Sequence, residues 1–103
     1  MSQDKITRSA RQEDCQIRIP GVCSFDKDTV VWCHANGSAA GKGIGMKSKS
    51  YLGAYGCFKC HQVVDGAVPP PDGMTRDDIR LMFLEGHLRS MPILERKGLL
   101  VTA

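Results

Sequence analysis

Five cysteines in a chain of 103 residues are the feature that most limits how this sequence can fold. A chain of this length has room for one hydrophobic core, and only 6% of its residues are aromatic, so the core is small and needs a disulfide or metal staple. An odd number of cysteines fits a disulfide framework poorly. The N-terminal residues are polar and lack the apolar segment of a secretory signal, and no stretch is apolar over the length of a membrane span. We therefore expect a cytoplasmic protein that does not enter a membrane, in which thiols bind metal rather than each other.

The spacing of the cysteines predicts one structural zinc site. Cys57 and Cys60 are separated by two residues, which lets both sulfurs reach one tetrahedral ion. A second pair brackets a predicted short strand at residues 17–19 and a turn, and it completes a four-thiolate set: Cys15, Cys23, Cys57 and Cys60. Two alternatives remain open, namely that the cysteines pack as small buried hydrophobes, or that Cys33 replaces one member of the second pair.

A helix is predicted from Cys57 to Asp65, because this stretch contains no helix breaker and Gly66 follows at the position of a C-terminal cap. His61 and Asp65 are four residues apart and share one face of that helix. Such a pair can hold one divalent cation while leaving coordination positions open, which a zinc ion with four thiolate ligands cannot do. The alternative is that His61 packs beside the cysteines and Asp65 is a solvated residue at the helix end.

Two other chemistries share the same segment. Cys57-Phe-Lys-Cys60-His61 also spells the attachment motif of c-type haem. The absence of an export signal argues against haem, and so do the three remaining cysteines, which a cytochrome would leave unexplained. A redox dithiol at Cys57 and Cys60 would be expected within an alternating βαβ pattern, which this sequence lacks.

A histidine and a basic segment follow the predicted strand Thr29–Trp32. His34 stands at the end of that strand, and imidazole is the side chain best suited to take a proton from water near neutral pH. Residues 1–60 carry nine Lys or Arg against five Asp or Glu, and no acid occurs between Gly37 and Cys60. A glycine-rich segment there presents three lysines that suit a polyanion, Lys42, Lys47 and Lys49. An ordinary solvated loop is the alternative.

The remaining segments predict one domain over residues 1–103. Residues 1–14 form a polar N-terminal arm with a short helix around residues 9–14, and residues 15–66 contain the cysteines and the core. After a proline-rich linker, Thr75 and Asp78 form a capping box that opens the C-terminal helices within residues 75–98. Pro92 is expected to begin a new helical turn there, and Gly98 to end the last helix. Surplus apolar residues in these helices point to a homodimer.

Three motifs of the sequence can be compared with those of known families. They are Trp32-Cys33-His34-Ala-Asn36, Gly41-Lys-Gly-Ile-Gly45-Met-Lys47, and Gly56-Cys57-Phe-Lys-Cys60-His61 with Asp65-Gly66. These motifs resemble the HNH or ββα-metal endonucleases, and more closely the small predicted nucleases of lambdoid prophages, the YbcO-like family. The resemblance covers nearly the whole chain, and its Cys-x-x-Cys-His helix is the most specific part.

The resemblance implies an α+β fold, a small zinc-stapled ββα-metal domain with additional C-terminal helices. It implies hydrolysis of phosphodiester bonds in nucleic acid, with DNA as the expected substrate. His34 would be the general base, His61 and Asp65 would bind a catalytic divalent metal such as magnesium, manganese, nickel or zinc, and Lys47 would hold a phosphate. Many HNH sites carry an acidic or histidine ligand directly before the base, where this chain has Cys33. A zinc module that binds nucleic acid or a protein without catalysis is the alternative function.

Overall fold

The centre of the fold is a two-stranded antiparallel hairpin. The structure is a computed structural model that describes residues 5–34 and 52–99. Val31–His34 form β1 and Gly53–Gly56 form β2. In this register Trp32 lies opposite Tyr55 and Cys33 lies opposite Ala54. Because side chains alternate along a strand, Trp32 and Tyr55 share one face of the hairpin with His34, and Cys33 lies on the other face. β1 thus begins two residues later than predicted, after a 3₁₀ turn at Lys27–Thr29.

The predicted helix after the hairpin is confirmed as α2, Phe58–Asp65. Cys57 caps its N-terminus, because its sulfur accepts a hydrogen bond from the Cys60 N–H. Gly66 ends the helix in the left-handed region, at φ 86°. A residue with a side chain adopts this backbone conformation at a cost, so glycine is well suited to the position.

The C-terminal part is one helix, α3, Arg76–Arg96, and the prediction of separate helices was wrong. The capping box at its start is confirmed, since Thr75 and Asp78 each accept a hydrogen bond from the other's backbone N–H. Pro92 lies inside the helix. Its missing N–H leaves the Leu88 carbonyl without a helical partner, and both residues are exposed, so water can replace the lost hydrogen bond. Within the described residues, no helix is both long and apolar enough to cross a membrane.

The sequence predicts an N-terminal arm separate from the core, but the described N-terminal residues pack against that core. The helix α1 spans Lys5–Arg8, earlier than predicted, and further turns follow it. Ala10 is only 2% exposed and Ile6 packs against the same core. Two apolar residues in a polar stretch gave too weak a periodic signal to predict this packing.

Residues 17–19 do not form the predicted strand. Ile17 and Ile19 are fully buried, but Arg18 between them has φ 56°, which no strand allows. The expected turn after them is present, since the N–H groups of Val22 and Cys23 donate to the Ile19 carbonyl. The segment therefore bends around the cysteines rather than extending along the hairpin.

Side chains of α3 cover the free edge of β2. The Ser90 hydroxyl accepts a hydrogen bond from the Tyr55 N–H at 3.1 Å and donates one to the Gly86 carbonyl at 2.7 Å. The His87 Nδ1 lies 2.7 Å from the Gly53 carbonyl oxygen. These contacts satisfy backbone groups that β1 cannot reach, and they protect a sheet edge that would otherwise be open to another chain.

Ser90→Ala is expected to destabilise the fold by about 1–3 kcal/mol, because it leaves the buried Tyr55 N–H without a partner. Chemical denaturation of the purified protein would measure this loss. Glu85→Ala, at an exposed position of the same helix, is the comparison variant and should cost about 0.5 kcal/mol or less. Equal stability of the two variants would contradict the role given to Ser90.

Candidate functional site

Four cysteines meet at one point of the described structure. The four sulfurs all lie within 4.8 Å of one another, and they belong to Cys15, Cys23, Cys57 and Cys60. The Cys23 and Cys57 sulfurs are 3.9 Å apart. A tetrahedral zinc ion with Zn–S distances of about 2.3 Å requires sulfurs about 3.8 Å apart, so a small contraction completes the geometry. The cluster can hold a metal ion such as zinc.

Backbone N–H groups point at the sulfurs of this cluster. The Ser24 N–H donates to the Cys57 sulfur at 3.4 Å, and the Cys60 N–H donates to the same atom at 3.5 Å. A backbone hydrogen bond from Arg18 adds to the effect of the Cys60 thiol in lowering the pKa of Cys15, and one from Phe25 opposes the rise that burial gives to the pKa of Cys23. Both donors have positive φ, 56° and 55°. Donors of this kind stabilise thiolates. Both the positions of the sulfurs and the hydrogen-bond donors around them therefore suit a metal-thiolate centre.

The thiols of the cluster share negative charge unequally. Hydrogen bonding from the Cys60 thiol lowers the pKa of Cys15 to about 4, and the same hydrogen bond, with burial, raises the pKa of Cys60. Burial raises the pKa of Cys23 to about 12. Burial also acts to raise the pKa of Cys57, but hydrogen bonds from Ser24 and Cys60 leave it lowered. Four thiolates this close need a cation to coexist, so metal binding and proton release are coupled here.

His61 and Asp65 meet on α2, as their spacing predicts. The His61 Nε2 is 3.0 Å from the Asp65 carboxylate, and the two side chains are 34% and 37% exposed. The pair begins one residue after Cys60, so the cysteine cluster fixes the helix that carries it. A nitrogen and an oxygen donor at this separation, open to solvent, form a pair that can bind a divalent cation and leave room for water.

Cys33 lies apart from the four-cysteine cluster and is completely buried. Burial raises the pKa of its thiol, and the Asp65 carboxylate raises it further. The residue therefore packs as a neutral, small hydrophobic side chain on the hairpin face that lies toward α2. Its sulfur is close to Gly56, where an added Cβ would approach it to 2.8 Å.

His34 is exposed at the end of β1. The alternation of the strand puts its side chain on the Trp32 face, opposite to Cys33. In the register of the hairpin His34 lies opposite Gly53, at the end of β1 from which the segment that joins the two strands leaves. The predicted nucleic-acid contacts Lys42, Lys47 and Lys49 lie outside the described residues.

Comparison with known proteins places the chain in a family. The family model described as "Putative nuclease YbcO" matches residues 4–99. The chain belongs to the YbcO family. Two YbcO relatives, "Putative nuclease YbcO" of Escherichia coli strain K12 and "Putative nuclease ybcO" of Enterobacteria phage 82, are each 29% identical over 96 residues. Each match covers 92% of this chain and 95% of the relative.

A solved structure has the same fold as this YbcO-family chain. It is described as "Structure of a putative bacteriophage protein from Escherichia coli str. K-12 substr. MG1655". It matches with a TM-score of 0.71 at 26% identity, and the match covers 89% of this chain and 98% of the solved one. The likeness therefore extends over the hairpin and the helices and is not limited to the cysteine motif.

Two parts of the site's surroundings could not be predicted from the sequence. The N–H donors to sulfur depend on backbone angles at Arg18 and Phe25, for which these side chains give no signal. Arg76 was also missed: its guanidinium donates to the Val63 carbonyl at 2.6 Å and to the Val64 carbonyl at 3.0 Å. This contact satisfies the last carbonyls of α2 and fixes the helix end next to Asp65.

Proposed function

We propose that this protein is a metal-dependent endonuclease of the HNH or ββα-metal type that hydrolyses phosphodiester bonds, with DNA as its substrate. The observation that carries the proposal is the His61–Asp65 pair, preformed and solvent-accessible on a helix that the four-cysteine cluster fixes. The order β1, β2, α2 is the order expected of such a domain. The names of the relatives, which call them putative nucleases, support the same reaction class.

Two metals have separate tasks in this proposal. The four cysteines hold a structural zinc ion, which has no open coordination position once four thiolates are bound. His61 and Asp65 would hold the second, catalytic divalent ion. When bound, that ion supplies positive charge against the phosphorane and the leaving 3′ oxygen.

The chain's own residues supply the proton transfer and the binding of substrate. His34, exposed at the end of β1, accepts the proton of the attacking water. Asp65 holds the His61 imidazole through Nε2 before metal binds, which limits the rotation of both side chains. Lys42, Lys47 and Lys49 contribute phosphate contacts in the segment that joins the two strands.

Asp65→Asn is expected to lower cleavage at limiting metal and to recover part of the activity as divalent metal is raised. The amide keeps the shape of the side chain but loses the charge that favours a cation, so the variant raises the metal concentration needed for half-maximal rate. Cleavage of labelled DNA across a manganese titration measures this shift. Asp72→Asn, an exposed acid in the linker before α3, is the control and should titrate like the wild type. Identical titrations of both variants and wild type would exclude Asp65 as a ligand.

The second candidate function is a zinc module that binds nucleic acid without cutting it. The burial of Cys33 favours this candidate, because the residue stands where many related sites have a catalytic metal ligand. This module needs the cysteine cluster but neither His34 nor Asp65. A zinc-loaded wild type that binds DNA and does not cleave it with any added metal would select it.

A further inference from the structure

Three cations lie on the outer side of α1 and the turns that follow it. Lys5, Arg8 and Arg11 are all exposed and are spaced three residues apart. Backbone hydrogen bonds from Ala10 to Thr7 and from Arg11 to Arg8 continue the helix as tighter turns, in which residues three apart lie on one side. The opposite side, with Ile6 and Ala10, packs into the core. The three cations therefore point away from the protein together.

These three cations differ from other basic residues of the described structure in their ion pairs and hydrogen bonds. The ion pairs among the described residues involve Lys27, His61, Arg80 and Lys97, and none involves these three. In contrast, the Arg76 and Arg89 guanidinium groups donate to backbone carbonyls of other segments. The surface formed by Lys5, Arg8 and Arg11, here called the α1 basic surface, thus carries positive charge without an acidic partner among the described residues.

The α1 basic surface belongs to the same face of the hairpin as His34. The Ser9 hydroxyl lies 2.7 Å from the Tyr55 hydroxyl, so α1 packs on the face that carries the Tyr55 ring. Tyr55 meets Trp32 edge-to-face, with ring centroids 5.0 Å apart. Strand alternation places His34 on this face as well.

We infer that the α1 basic surface binds the phosphate backbone of the nucleic-acid substrate on the His34 side of the hairpin. This inference rests on the proposed function for the identity of the ligand. Side chains three residues apart on a helix are about 5–6 Å apart, so the three cations span about 10–12 Å. One strand of duplex DNA presents a phosphate about every 3.4 Å along the axis, so this length offers each cation a phosphate. Regularly spaced charge of one sign matches a polyanion with a regular repeat.

Salt-dependent binding separates this surface from basic residues elsewhere. The triple variant Lys5→Gln, Arg8→Gln, Arg11→Gln is compared with Lys59→Gln, Arg80→Gln, Arg96→Gln, which removes the same charge from α2 and α3. The probe is a fluorescein-labelled DNA duplex of mixed sequence, titrated by anisotropy at several salt concentrations without added divalent metal. Loss of three phosphate contacts is expected to reduce the slope of log affinity against log salt by about 2.7, and to weaken binding on the order of a hundred-fold or more at 0.1 M salt. The α2–α3 variant should keep a slope close to that of the wild type.

The outcomes distinguish this inference from the proposed function. An unchanged slope in the α1 variant, equal loss in both variants, or no binding by the folded wild type would overturn the inference. Cleavage by the wild type is scored separately, so a nuclease with an unchanged α1 variant would leave the proposed function standing. If the wild type binds DNA through the α1 basic surface but does not cleave it, this inference stands and the proposed function fails. Tighter binding of an acidic peptide than of DNA to the wild type, lost in the α1 variant, would also overturn the inference.

Discussion

Cys57→Ser is expected to unfold the protein and to abolish stoichiometric zinc binding. Cys57 has two structural tasks, since its sulfur belongs to the four-cysteine cluster and also accepts the Cys60 N–H at the start of α2. A structural zinc ion contributes about 10–16 kcal/mol in small zinc peptides, whereas a small domain has a net stability of about 5–15 kcal/mol. Loss of one ligand removes enough of that free energy to unfold the domain. Elemental analysis and circular dichroism together measure the effect.

Cys33→Ala is the matched control, because it removes a buried sulfur outside the cluster. It should keep about one zinc ion per chain and remain folded, with a loss of about 1–2 kcal/mol from the small cavity. Full zinc content and unchanged melting in Cys57→Ser would contradict the four-thiolate site. A haem absorption spectrum in the wild type would show that the protein binds haem and would also contradict the four-thiolate zinc site.

His34→Ala is expected to lower the rate of cleavage by about 10²- to 10⁴-fold while zinc content and stability stay as in the wild type. The side chain is exposed, so its removal should change stability by about 0.5 kcal/mol or less. A base that only accepts a proton is not replaced by more metal, so saturating divalent metal should leave the rate low. This behaviour separates His34 from Asp65, whose loss extra metal partly offsets.

Rescue by a small base provides the specific readout for His34. Imidazole added to His34→Ala should raise the cleavage rate in proportion to its concentration, because it can reach an exposed position. His87→Gln is the comparison variant, since a glutamine amide can still donate toward the Gly53 carbonyl that His87 contacts. We expect it to cleave like the wild type. Equal rates for His34→Ala and wild type at saturating metal would exclude His34 as the base.

The parts of the fold that the sequence predicts correctly depend on local signals. The helix α2 follows from an unbroken segment that ends at Gly66, and the start of α3 follows from Thr75 and Asp78. The clustering of the four cysteines also follows from their spacing in the sequence. Thiols that share one metal ion must lie close together, whatever structure the segments between them adopt. The His61–Asp65 contact follows from helical spacing alone.

The parts that could not be predicted depend on tertiary contacts. The alternation around Arg18 indicates a strand, but Arg18 has a positive φ and its backbone hydrogen-bonds to the Cys15 sulfur. The continuity of α3 through Pro92 depends on the exposure of that side of the helix. The burial of Ala10 depends on the core that it joins, and the Ser9–Tyr55 contact beside it places the α1 basic surface.

Metal-dependent cleavage by the wild-type protein is the direct test of the proposed nuclease activity. Protein with about one zinc ion per chain is incubated with labelled duplex and single-stranded DNA and with RNA, in the presence of magnesium, manganese, nickel or added zinc. We expect DNA cleavage that requires added divalent metal and falls by about 10²-fold or more in His34→Ala. Folded, zinc-loaded wild type that cleaves none of these substrates with any of these metals would contradict it.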